Sequence, residues 1–199
     1  MFKNIFTKTL YDKRWFALGW SLGLVAMVAL TLVFFPSLSQ GNSIEQLFAN
    51  IPKQLQGLLG DLEAYRTAAG YLGSAVFDLR VPLVALPMAI ILAISLSVGE
   101  ESSGQMYQLL ARPVSRTSIV VQKWMAFIAV MTVVHLAAFL SAVFTLLLIH
   151  ESVSYGAIAG VVVMSTLLCI SVGSVAMLFG FGSGKKGFAT AASGLLAFG

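Results

Sequence analysis

Apolar residues in this chain come in long runs, not at the spacings of three and four that mark a helix half in water. Runs over about residues 16–36, 77–98, 123–149 and 157–181 each supply the roughly 20 residues a helix needs to cross a bilayer. A fifth, 188–199, has 12 residues and is too short to cross, so it reads as the start of another span and the chain as part of a longer one. The predicted fold is therefore all-α: a polytopic transmembrane helical bundle with four full spans and the start of a fifth. Two regions carry an amphipathic period instead. Phe2, Ile5, Phe6 and Leu10 recur at helical spacing opposite Lys3, Lys8 and Arg14, which predicts a helix within residues 1–15 lying flat at the membrane surface. An ordinary basic flank that only fixes topology is the alternative.

The other region is the loop 37–76. Ser43 and Gln46 make a capping box ahead of Ile44, Leu47, Phe48 and Ile51, and Pro52 allows a second start before Leu55, Leu58, Leu59 and Leu62. One or two amphipathic helices resting on the membrane or the bundle are expected. Pro82 and Pro87 predict a kink in the second span. Gly19 with Gly23, and Gly156 with Gly160, are placed where helices could approach closely.

Composition agrees with lipid as the solvent. Of 199 residues, 58% are hydrophobic and only 10% charged, more apolar surface than a soluble domain of this size can hide. The basic start followed by an apolar run resembles a signal peptide, but the run is longer than a signal h-region of about 7–15 residues and ends Phe34-Phe35-Pro36 instead of in small residues. It reads as a retained span. The lone Cys169 has no partner for a disulfide and no nearby metal-ligand companion, so it reads as a small buried apolar residue.

Charge sets the expected orientation. Lys3, Lys8, Lys13, Arg14, Arg112, Arg116, Lys123, Lys185 and Lys186 all fall on one side of the predicted spans, and only Lys53, Arg66 and Arg80 on the other. Basic residues near span ends favour the cytoplasm. The N-terminus and the segment between spans two and three are thus expected to be cytoplasmic, in a multi-pass protein of the cell membrane, such as a bacterial inner membrane. The formal net charge of +4 belongs to topology and anionic lipid headgroups, with no nucleic acid implied.

That segment, within 99–118, carries the most specific signal. Gly99-Glu100-Glu101 closes span two, Gly104 permits a turn, and Met106, Tyr107, Leu109 and Leu110 give a short helix an apolar contact face. Arg112-Pro113 stops that helix, and Arg116 and Lys123 lead back to the membrane, where long side chains can snorkel to the interface. A short polar helix with an apolar face is a knob that a soluble partner can grip; a solvated loop is the plain alternative.

These residues, Gly99-Glu100-Glu101, Gly104, Leu109-Leu110, Arg112-Pro113, Ser115-Arg116 and Lys123, resemble the type-2 permease family of ATP-binding-cassette exporters. Leu10-Tyr11-Asp12-Lys13-Arg14, the long outer loop with Pro52, and Gly70-Tyr71-Leu72 look like the subfamily encoded separately from its ATPase. The resemblance implies a permease domain over 16–199 and a coupling helix that docks on a cytoplasmic ATPase subunit through Glu100, Glu101, Gly104, Met106, Tyr107, Leu109, Leu110, Arg112, Pro113 and Arg116. It also implies a second permease subunit, as homodimer or heterodimer, and export driven by ATP and magnesium held in the partner. Complete members usually carry six spans, and the two that should follow Lys186 are missing or incomplete here.

No catalytic, metal or cofactor site is expected in the chain itself. Gly180 to Gly187 is glycine-rich with two lysines, but a Walker A loop needs glycine where Phe179 stands and Ser or Thr where Lys186 stands. It reads as a flexible turn. An intramembrane protease of the type that cleaves prenylated CAAX proteins would need Arg where Gln105 stands, with histidines converging on the carboxylates. His135 falls mid-span and His150 at the far surface. His135 is expected to bond another helix, to contact substrate or to be a proton-sensitive position, and Asp78 and Arg80 to form a local interfacial pair, with a place in the translocation path as the alternative. The remaining alternative is a membrane-embedded structural or channel subunit with no ATPase partner.

Overall fold

The computed structural model describes residues 4–39, 67–99 and 115–198. Among them every regular element is a helix: α1 (Ile5–Asp12), α2 (Arg14–Val33), α3 (Phe35–Ser39), α4 (Ala68–Tyr71), a π-helical stretch (Leu72–Arg80), α5 (Val81–Leu96), α6 (Arg116–Leu148), α7 (Tyr155–Ser183) and α8 (Lys186–Phe198). Four stretches are long and apolar enough to cross a membrane: Arg14–Ser37, Ala68–Leu96, Arg116–Leu148 and Tyr155–Ser183. The chain is a polytopic helical membrane protein, as its apolar runs predict. The amphipathic helices expected within the loop 37–76 fall, for residues 40–66, outside the described residues.

Span boundaries differ from the hydropathy reading at the polar ends. α6 begins at Arg116, two turns before the apolar run, because Ser115 caps it: its Oγ accepts the Ser118 amide at 3.2 Å. At about 1.5 Å per residue, its 33 residues span roughly 50 Å, well beyond a hydrocarbon core of about 30 Å. The far end of α6 closes in a Schellman arrangement, with the His150 amide donating to Leu147 O and the Glu151 amide to Leu146 O. His150 stands at the left-handed position, φ 57°, where glycine is usual. α7 ends in the simpler left-handed cap: Gly184, φ 59°, donates its amide to Gly180 O four residues back. The glycine-rich segment is thus helical through Ser183, and the turn is confined to the residues just after it.

Span two departs most from ordinary helix. Pro82 has no amide to offer the carbonyl four residues back, and its ring crowds that carbonyl. Just ahead of it the chain takes wide turns, and the Val81 amide bonds Val76 O, five residues back. Burial follows that period: Tyr71, Val76 and Val81 are buried, and so are Leu72 and Phe77. Pro87 is carried inside α5.

The chain divides into two compact units, each cutting across the long helices. One comprises Met1–Trp20, Val84–Val134 and Thr166–Gly199. In it Ala189 of α8 forms a buried cluster with Ile90 and Ile94 of α5, against which Val172 and Phe179 of α7 pack. Phe179 and Phe188 meet edge to face at 6.3 Å across the turn. The other comprises Ser21–Leu83 and His135–Ser165. There Ser141 Oγ of α6 donates to Val25 O of α2 at 2.9 Å, and Phe35 of α3 packs its ring on Tyr71 of α4 at 5.2 Å.

The glycines that matter for packing are not the predicted pairs. Among the described residues, nothing lies within 4 Å of where a Cβ would stand on Gly19, Gly23 or Gly160, and only Ser154 Oγ, at 3.6 Å, approaches that of Gly156. A Cβ on Gly173 would instead run into the Phe127 ring, coming within 2.9 Å of Cε2, and one on Gly180 would meet Ser97, 2.7 Å from its Cβ. Seven residues apart, these two glycines share one face of α7. Gly173→Ala is expected to lower the thermal midpoint of the detergent-solubilised protein through about 1–3 kcal/mol of overpacking. Adding Phe127→Leu should recover part of that loss, and a strictly additive double mutant would show that the two positions do not touch.

Candidate functional site

Of the predicted docking residues, Glu100, Glu101, Gly104, Met106, Tyr107, Leu109, Leu110, Arg112 and Pro113 lie outside the described residues. Arg116 opens α6 as an exposed side chain. The two feet of the insert are well defined, and they show what the insert is mounted on.

One foot is the end of α5. Leu96 is its last residue, so its carbonyl is among those with no helical partner, at the negative end of the helix dipole. Lys123 of α6 supplies the donor: Nζ bonds Leu96 O at 2.9 Å and lies 6.0 Å from the centre of the Phe181 ring of α7. This corrects the snorkelling expectation, because Lys123 is 0% exposed. Sealing a charge in costs less where a helix terminus and a ring face supply negative potential. The next residue, Ser97, is also buried; its hydroxyl bonds Ala93 O at 2.9 Å and its side chain fills the space left by Gly180.

The other foot is the first two turns of α6, and it also holds α1. Asn4 caps α1 by accepting the Thr7 amide at 2.9 Å. The Ile5 and Phe6 amides, two of the donors left over at that helix start, both go to Gln122 Oε1, at 3.0 and 3.2 Å. Gln122 is aimed by its own amide nitrogen, which donates to Ser118 Oγ at 2.9 Å. The stretch carrying Ile5, Phe6 and Leu10 is thus helical over Ile5–Asp12 and pinned at its start; its buried residue is Thr9, off the apolar stripe. Arg14 joins α1 to α2, stacking on the Tyr11 ring at 3.5 Å while donating to Tyr11 O at 3.2 Å. Trp124 completes the set: its indole donates to Ser174 Oγ of α7 at 2.8 Å.

His135 is 1% exposed in the second unit, closed off from solvent and lipid. Ser165 Oγ, in the same unit, is buried with no hydrogen-bond partner among the described residues. Sequence reasoning passed over Gln122 and Trp124, and it placed Lys123 at the surface. The only signal was their adjacency at the start of an apolar run, which an interfacial residue shares.

Several membrane-crossing helices, with two of them braced at the point where a polar insert leaves and returns, define a multi-pass membrane protein with a mounted polar segment. The chain belongs to the ABC-2 family of transporter proteins, whose family model matches residues 4–198, and it is a membrane permease subunit of an ABC transporter. It has no significant match among curated proteins or among solved structures.

Gln122→Ala is expected to leave the Ile5 and Phe6 amides without their acceptor and to speed tryptic cleavage after Lys8 and Lys13 about thirtyfold, as loss of two hydrogen bonds worth roughly 1 kcal/mol each would do. Lys123→Met keeps the stem's volume, so global unfolding should move little while amide exchange at 97–99 rises about tenfold. Unchanged exchange there would show that the Leu96 contact does not hold the foot.

Proposed function

We propose that this chain is the membrane half of an exporter whose insert, residues 99–118, docks on a cytoplasmic ATPase subunit and carries the ATPase's movement into spans two and three. The observation that supports this most is the bracing of the insert's feet. A knob transmits force only through a stiff mounting, and Lys123 joins the last residue of α5 to α6 beside the packed Ser97–Gly180 contact. Family membership supplies the expectation of an ATPase in the same transporter.

In this reading Glu100 and Glu101 face the partner from the end of span two, and Met106, Tyr107, Leu109 and Leu110 form the gripped face. Gly104 provides the turn, and Arg112, Pro113 and Arg116 end the knob and return the chain to α6. The N-terminus and the insert share the cytoplasmic side, to which nine of the twelve basic residues are assigned. Two such permease subunits, alike or different, form the pathway at their seam, and ATP with magnesium stays in the partner. His135 acts in the pathway or holds two helices together.

Glu100→Ala with Glu101→Ala, and separately deletion of Gln105 to Leu110, should each abolish co-purification with the ATPase; retention in both backgrounds would remove the docking role. Lys123→Met should keep co-purification yet lower substrate exported per ATP by about tenfold, within the range of couplings of 1–3 kcal/mol. A cysteine introduced by Ser103→Cys should react with an impermeant maleimide in inverted vesicles and not in intact cells. Flux that persists after ATP depletion would favour a channel without an ATPase.

A further inference from the structure

In the second unit a groove of about 370 Å³ opens between the far end of α2 and the start of span two, lined by Leu30, Thr31, Phe34, Ser37, Tyr71 and Arg80. Its chemistry is divided. Leu30 and Phe34 form an apolar wall and are each 61% exposed, while Thr31, Ser37 and Tyr71 bring hydroxyls and Arg80 a guanidinium. Arg80 lies inside a stretch otherwise apolar enough to cross the membrane. Its side chain is exposed, and a long basic side chain near a span end can reach the level of the lipid headgroups.

The π-helical stretch creates this arrangement. Tyr71 and Arg80 are nine residues apart, which at about 100° per residue puts them on opposite sides of an α-helix. In turns closed five residues back, nine residues amount to roughly two turns, and the two side chains return to one side. The Arg80 guanidinium accordingly reaches the Tyr71 hydroxyl as a hydrogen-bond donor. Asp78, two residues before Arg80, falls on the other side in either geometry. The groove thus presents a positive fork with hydroxyls at its head and exposed hydrocarbon along its length.

We propose that this groove holds an anionic phospholipid, with its phosphate on Arg80 and the hydroxyls of Tyr71 and Ser37 and an acyl chain along Leu30 and Phe34. Charge complementarity selects the occupant: the planar guanidinium matches a phosphate's oxygens in pairs, and a lipid is the phosphate carrier that also has a tail for the apolar wall. The site lies at the opposite end of α2 from Arg14 and takes no part in the insert, so it stands apart from the transport reading.

Native mass spectrometry of the purified chain with phosphatidylglycerol or phosphatidylcholine reads the site directly. One phosphatidylglycerol should be retained at least about tenfold more strongly than phosphatidylcholine. Arg80→Gln should lose about tenfold, the effect of removing a charge-assisted contact, and Arg80→Lys should fall between it and the wild type. Equal retention of the two lipids, or an Arg80→Gln variant that binds like the wild type, overturns the proposal. Millimolar inorganic phosphate that strips the lipid completely also overturns it, by reducing the groove to a free-anion site. Should Arg80→Gln fail to fold, Leu30→Ala with Phe34→Ala alters only exposed side chains, and undiminished retention there would likewise refute the assignment.

Discussion

Three consecutive side chains near the start of α6 hold the insert-bearing unit together. Gln122 takes the leading amides of α1, Lys123 takes the last carbonyl of α5, and Trp124 reaches Ser174 on α7. Adjacent positions on a helix point about 100° apart, so one turn of α6 faces three neighbours at once. Lipid offers no hydrophobic drive for helices to associate, which leaves polar bonds and close packing to bring them together. Here the polar bonds are concentrated in a single turn and the close packing in Gly173 and Gly180, on one face of α7.

The fold was legible because bilayer thickness turns composition into architecture: an apolar run of sufficient length is a span almost without regard to its order. Periodicity pointed to a helix at α1 because Ile5, Phe6 and Leu10 recur there at helical spacing with Lys8 between them. What could not be read was anything that depends on which helix faces which. Gly19 and Gly23 satisfy the spacing for close approach and meet nothing, whereas Gly173 and Gly180 are spaced by seven and meet Phe127 and Ser97. Spacing says that two glycines share a face; only the partner helix decides whether that face is used.

The same limit applies to charge. Lys123 was read as interfacial because an isolated lysine at the end of an apolar run ordinarily is, and no local feature announces the free carbonyl of Leu96 supplied by a helix 27 residues earlier. The π-helical stretch escaped for a related reason. Its buried positions recur at five, a period that neither the helical nor the strand pattern contains, and Pro82 shows only that the ladder must adjust somewhere upstream. The docking residues rest on family membership and on the mounting around them.

Burial of Lys123 has a temporal side. Orientation of a span is decided while the nascent segment is threaded into the bilayer, by basic residues near its ends, before neighbouring helices have assembled. At that moment Leu96 and Phe181 have not yet closed over the ammonium, and in the proposed topology it counts in the tally along with Arg112 and Arg116. Once the helices gather, the same group is withdrawn from the aqueous boundary and becomes a structural donor. In the proposed topology a single positive charge therefore serves biogenesis first and architecture afterwards, so a neutral residue at this position would remove two contributions made at different times.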